Sequence, residues 1–345
     1  MSPLFSHLLI PYIIAMGLAL TMGGSGTAPA FSAAYGANVI RKSMIAGLFG
    51  IMVFFGAIFA GKATAATLGK GLINPDMLHF TVVSIILFSV FVALLVSNLV
   101  GIPQSTSQAT VLSIVSAAIY FGEVNTHKLF GEIIPTWFIL PVISFSICFL
   151  IGKYIYKPLR RTGFTMSKKF NENPIMKGLI IVMSMYVAFA IGSNNVANAA
   201  GPITTMTINE LGVDANANFI VIMIMSTLII APSFGIGSSI FGYKVLRNTG
   251  KEIVLFGRFE AVIIAFVSAS LLLSASLLKG IPTSLVQVNV GAIIGIGVAK
   301  LGFKNIFRKT AVNKFFIMWI ISPAIAFLLT LILLFFADRL GWIGI

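Results

Sequence analysis

The chain has 345 residues, 58% of them hydrophobic and 9% charged, with a mean hydropathy of +1.03. A water-soluble domain carries about a quarter charged residues, so the composition excludes one and points to an integral membrane protein. A net charge of +14 would suit a nucleic-acid binder, but the charges sit between apolar stretches, and that placement excludes nucleic acid as a partner.

Ten apolar stretches follow one another, at 5–22, 44–61, 79–100, 105–122, 130–152, 175–192, 219–243, 254–278, 284–300 and 315–336. Most approach the ~20 residues a spanning helix needs, and lipid obliges each to satisfy its backbone internally. The short alternating strands of a barrel do not occur, so the expected fold class is an all-α polytopic membrane protein. Basic residues cluster at Arg41/Lys42, from Lys153 to Lys177, at Lys244/Arg247/Lys251 and from Lys300 to Lys314. If the stretches cross in turn, these clusters share one side, whereas Lys62, Lys70, Lys128, Lys279 and Arg339 fall on the other. The positive-inside rule then makes the rich side cytoplasmic, with both termini outside, in the plasma membrane of a prokaryotic cell. Anionic headgroups of the lipid bilayer are the expected partner of the basic side. No cleavable leader pattern is expected. The single cysteine, Cys148, offers neither a disulfide nor a thiolate metal site.

Residues 80–110 align without a gap on 259–289, and Gly-Ile-Pro-x-Ser recurs at 101–105 and 280–284. Upstream of the first lies Gly23-Gly24-Ser25-Gly26-Thr27-Ala28-Pro29-Ala30, and upstream of the second Gly192-Ser193-Asn194-Asn195-Val196-Ala197-Asn198-Ala199. The pattern predicts two transmembrane repeats, 1–152 and 178–345, joined by a basic cytoplasmic linker at 153–177. Five stretches per half is an odd number, so the second half enters from the opposite face. That is an inverted-topology repeat, each half with a broken helix and a re-entrant hairpin, and paired interruptions of this kind point to a binding site at the midplane.

The interruptions carry the candidate chemistry. Gly23, Gly26, Gly192 and Gly201 are expected to free backbone N–H groups in irregular segments. Pro29, Pro103, Pro202 and Pro282 are expected to fix where helices restart. A helix start presents unpaired N–H groups and the positive dipole end, which suit an anion. Ser105, Thr106 and Ser107 in one half, with Thr283 and Ser284 in the other, add hydroxyls. Each hydroxyl alone reads equally well as an N-cap. Of nine acids, only Glu260 falls well inside a stretch, beside Arg258. It reads either as a proton relay or as the partner of a nearby cation.

The segment GSNNVANAAGP at 192–202 resembles the signature Gly-Ala-Asn-Asp-x-Ala-Asn-Ala-x-Gly-Pro of the inorganic phosphate transporter (PiT) family. The two Gly-Ile-Pro-x-Ser segments resemble that family's hairpin motif Gly-x-Pro-x-Ser-Thr-Thr-His. The resemblance implies anion–cation symport by alternating access, without a cofactor, by a homodimer. It implies an anion held at Ser105, Thr106, Ser107, Gln108, Thr283, Ser284 and Gln287. It implies a cation motif at Gly24, Ser25, Asn194, Asn195 and Asn198.

The departures bear on substrate. The family's motif Asp is Asn195 in the second half and Gly26 in the first; Ser25 and Pro29 stand where the family has Asn; the hairpin His is Gln108 and Gln287. In these features the chain is similar to the family's sulfate permease branch. A donor-rich pocket without acids suits sulfate, which has no proton to give, better than phosphate, although phosphate stays the alternative. A proton carried on Glu260 is the expected coupling ion, and Na⁺ at Asn194, Asn195 and Asn198 the alternative. An anion channel would use the same donors without alternation. An enzyme is not expected: His7, His79 and His127 lie at stretch ends without matched partners, and no phosphate-binding loop occurs.

Overall fold

The structure, a computed structural model, describes residues 3–100, 104–163, 173–249 and 257–343. Every element among them is helical. In chain order they are α1 (Pro3–Gly36), α2 (Lys42–Ala60), α3 (Lys62–Lys70), α4 (Phe80–Val100), α5 (Thr106–Phe121), α6 (Ile134–Ile151) and α7 (Lys157–Arg161). Next come α8 (Pro174–Asn195), α9 (Ala197–Leu211), α10 (Ala215–Ile230), α11 (Pro232–Thr249), α12 (Arg258–Ser274), α13 (Leu285–Leu301), α14 (Phe303–Phe307) and α15 (Thr310–Arg339). Among the described residues, eight segments are long and apolar enough to cross a bilayer. The stretches at 105–122 and 284–300 are the exceptions: α5 and α13 have 16 and 17 residues.

These two short helices begin deep inside the protein. Asn98, near the end of α4, donates to the carbonyl of Thr21, midway along α1. Ser107 and Thr283 both reach Asn194, which stands about 30 Å along the α8–α9 rod at 1.5 Å per residue. So α4–α5 and α12–α13 each run to mid-height and turn there. At the second turn Gly280 adopts φ +60° and ends the helix, a conformation that costs a residue with Cβ about 1 kcal/mol. Gly101, Ile102 and Pro103 between α4 and α5, Lys168 and Lys169 of the basic linker, and Lys251 lie outside the described residues.

The expected breaks at Gly23–Ala30 and Gly192–Ala199 are corrected. α1 runs unbroken through the first, with Pro29 in its interior. The second is a single residue, Val196, whose φ −62° and ψ −34° are themselves helical. Pro202 likewise sits inside α9. None of Gly23, Gly26, Gly192 or Gly201 has a positive φ. The glycines serve close approach instead. A Cβ on Gly23 would come within 2.2 Å of the Phe234 carbonyl oxygen, and one on Gly237 within 1.9 Å of that of Leu20. Likewise a Cβ on Gly192 would meet the Val53 oxygen at 2.0 Å, and one on Gly56 the Phe189 oxygen at 1.9 Å. The same reciprocal contact, glycine against the carbonyl three residues before its partner glycine, thus joins α1 to α11 and α8 to α2. Small residues let membrane helices pack at backbone distance. Other contacts recur in the same way: α1 packs on α4 as α8 packs on α12, and α5 on α15 as α13 on α6.

Two polar layers bound this core. On one side Glu210 accepts from the Phe80 N–H, Asn209 donates to Pro75 and Leu78, and Tyr120 donates to Asp338. On the other the end of α1, Tyr156 after α6, the start of α12 and the end of α13 meet. Arg41 and Lys42 follow α1 on this second face.

Candidate functional site

Asn194 organises the place where the two hairpins meet. Its Oδ1 accepts from Ser107 Oγ at 3.1 Å and from the Thr283 backbone N–H at 3.0 Å. Its Nδ2 donates to Ser276 Oγ at 2.8 Å and to the Ile281 carbonyl at 3.0 Å. One amide therefore spends all its bonding capacity pinning α5 to the α12–α13 turn. Asn198, one turn further on, donates to Ser107 Oγ at 3.3 Å. Across the junction Gln287 Nε2 donates to Gln108 Oε1 at 2.8 Å, so the expected hairpin glutamines face each other.

Ser105 and Ser284 act as N-caps: their hydroxyls accept from the N–H groups of Gln108 and Gln287. The capping reading of these two hydroxyls is the one the geometry bears out, and capping also positions the helix starts. The remaining first-turn N–H groups of α5 and α13 have no partner within their own helices, and both dipoles put positive ends here. Thr106, Ser107 and Thr283 complete the lining. All are buried; the most exposed of the expected anion residues, Gln108, is 8% exposed. Side chains of the two hairpins serve one another in this closed arrangement, Gln108 and Gln287 across the junction.

The cluster contains Ser, Thr, Asn and Gln and no acid. Among side-chain atoms its unmet capacity lies on oxygens: Asn198 Oδ1, Gln287 Oε1 and, on the residue next to Asn194, Asn195 Oδ1 are buried without a hydrogen-bond partner among the described residues. The Nδ2 bond of Asn198 and the Nε2 bond of Gln287 fix which way those two amides point. Gly24 and Ser25 stay helical and outside this cluster: Ser25 bonds back to the Met22 carbonyl, and Gly24 packs on Phe241.

Glu260 is not at this level. It sits in the first turn of α12, not two turns inside a span, because the helix starts at Arg258 rather than at 254. Its carboxylate accepts from the Gly257 N–H at 2.6 Å and from Lys300 Nζ at 2.5 Å.

Trp137, at the start of α6, was not anticipated. Its Nε1 donates to the Pro282 carbonyl at 2.9 Å, bracing the second hairpin turn. The signal was present: Trp-x-x-x-Pro occurs at 137–141 and again at 319–323.

The phosphate transporter family matches residues 22–330. The sulfate permease CysP of Bacillus subtilis is 30% identical over 312 residues, which cover 90% of this chain and 82% of that protein. A second Bacillus subtilis protein, named "Probable low-affinity inorganic phosphate transporter", is 26% identical over 322 residues, 91% of this chain and 92% of its own. Among solved structures, one titled "The sodium-dependent phosphate transporter" superposes with a TM-score of 0.81 at 22% identity, covering 97% of this chain and 99% of that one. At that identity the superposition establishes the fold.

Proposed function

The chain belongs to the phosphate transporter family, and from that premise we propose that it carries sulfate across the plasma membrane by alternating access, together with a cation. The observation that carries this reading is the buried, acid-free junction of two helix N-termini around Asn194. Sulfate stays fully ionised near neutral pH, so donors serve it and a carboxylate would only repel it. In this reading the halves form an inverted repeat that rocks about the junction, the linker 153–177 is cytoplasmic, and the termini lie outside, an orientation the basic clusters favour.

Bringing a dianion into an inside-negative cell costs about 2.3 kcal/mol per charge per 100 mV, so uptake needs a co-transported cation. In this reading Na⁺ is that cation, and the unpartnered amide oxygens are what supports it. Neutral amide oxygens are hard-cation ligands, and Asn195, Asn198 and Gln287 hold three without donors. Asn194 Oδ1 is already engaged twice. A proton carried on Glu260 loses support, because that carboxylate is held by Lys300 away from the junction. Phosphate is the second reading, and the same three oxygens favour it, since the proton of hydrogen phosphate would satisfy one.

Proteoliposomes containing the purified protein test the proposal. Labelled sulfate should enter when sodium is imposed outside, and excess unlabelled phosphate should leave most of that uptake intact. Phosphate uptake in place of sulfate would overturn the substrate. Sulfate uptake driven by outside acid without sodium would replace the cation, and flux indifferent to both gradients would mean a channel.

A further inference from the structure

Between the Asn194 junction and the face bearing Arg41 and Lys42 lies a cavity of about 30 Å³, walled by α1, α8, α12 and α13 and lined by Pro29, Ser32, Ser184, Ala261, Ala265 and Asn289 among others. It has room for about one water and none for a tetrahedral oxyanion. On α1 it begins one turn past Ser25; on α13 it starts at Asn289, two residues past Gln287. It therefore lies on the inner side of the hairpin tips.

Below it on α12 and α13, toward the basic face, lie side chains that the transport reading leaves unused. Arg258, one turn below Ala261 on α12, reaches across to donate from Nη2 to the Ala37 carbonyl just past α1, at 3.1 Å. Glu260, 1% exposed, ties α12 to the end of α13 through Lys300. The Lys300 ammonium lies 5.2 Å from the centre of the Tyr156 ring, and that ring stacks on Phe259. Three of the four walls are thus held together at one level by charged groups. The set carries one net positive charge, and Arg258 Nη1 is buried without a hydrogen-bond partner among the described residues.

We propose that Arg258, Glu260 and Lys300 form the inner gate of the transport path, a latch whose opening widens this cavity and lets the anion leave past Arg258. The inference rests on the transport reading for its cargo, though not for its opening. Glu260 is here a positioning residue that holds the gate. A surface ion pair would contribute little, but this pair is buried, and removing one partner leaves the other charge uncompensated, so the latch should respond strongly to single changes.

The test is thiol accessibility, which needs no transport. In a Cys148→Ala background, Ser184→Cys places a thiol on the cavity wall. A membrane-impermeant charged methanethiosulfonate is applied to inside-out vesicles, which expose the basic face, and to right-side-out vesicles. Lys300→Met and Glu260→Gln should raise labelling from the basic face at least tenfold, and Lys300→Arg should stay within twofold of the parent. Glutamine keeps an acceptor for the Gly257 N–H, so Glu260→Gln spares the cap. Native Cys148, fully buried between α6 and α13, should stay unreactive in the same latch variants without the Ser184 change. If Lys300→Met exposes it, that variant has lost its fold and Glu260→Gln decides. Labelling unchanged in both latch variants, or arriving only from the opposite face, would overturn the gate. Exposure of the Ser184→Cys thiol without any sulfate uptake by the wild type would uphold the latch and sink the substrate instead.

Discussion

Replacing Asn194 with alanine should damage stability and transport together. The change deletes four hydrogen bonds, to Ser107 Oγ, the Thr283 N–H, Ser276 Oγ and the Ile281 carbonyl. Interhelical bonds in membrane proteins average about 0.6 kcal/mol each, which puts four at about 2.5 kcal/mol. That is a floor, because the partners differ in what they keep. Ser276 still donates to Leu272, and Ser107 still accepts from Asn198. The Thr283 N–H and Ile281 carbonyl have no replacement among the described residues, and a stranded buried group costs about 1–3 kcal/mol. Two ordinary bonds at about 0.6 kcal/mol each and two stranded groups give an expected loss of about 3–7 kcal/mol, a large part of a typical folding free energy. Thermal unfolding in detergent, followed by tryptophan fluorescence, measures it, and sulfate uptake at matched protein amounts should fall at least tenfold. A loss below about 1 kcal/mol with normal uptake would mean that the two hairpins are not held through this amide.

Gly192→Ala should lower stability by about 1–3 kcal/mol, as overpacking does, because its Cβ would meet the Val53 carbonyl; Gly47→Ala, with nothing within 4 Å, should be neutral or stabilising through helix propensity, and thermal unfolding separates the two. Asn195→Asp restores the carboxylate that the family signature carries, so labelled-sulfate uptake should drop at least tenfold while unlabelled phosphate becomes an effective competitor. Trp137→Phe keeps the ring and loses the bond to the Pro282 carbonyl; it should cost about 1 kcal/mol in unfolding and slow uptake severalfold without altering the preference between anions.

What the sequence made legible follows from how local each signal is. The restarts at Ser105 and Ser284 could be read because a Pro followed by a Ser cap is a local instruction, and the capping bonds are where that instruction puts them. The glycines were misread because a small residue serves two purposes. It permits positive φ, or it lets another backbone come close, and the neighbour that decides between them, Phe234 for Gly23 and Val53 for Gly192, is far away in sequence. Only the pairing of Gly23 with Gly237 and of Gly192 with Gly56 distinguishes the two. Glu260 reads as deeper than it is because the apolar run extends back to 254, whereas α12 begins at Arg258. Asn194 was identified as a site residue, but its partners come from 82 to 89 positions away. Its role as the tie between hairpins, rather than a free ligand, appears only in three dimensions.

The central claim, that an oxyanion binds where α5 and α13 begin, is tested most directly by crystals grown with selenate, the tetrahedral analogue of sulfate whose selenium scatters anomalously. The account predicts an anomalous peak within hydrogen-bond reach of Ser107, Thr283 and the first-turn N–H groups of both helices, with the Gln108–Gln287 bond opened. A peak elsewhere in the protein, with the junction closed as it is here, would contradict it.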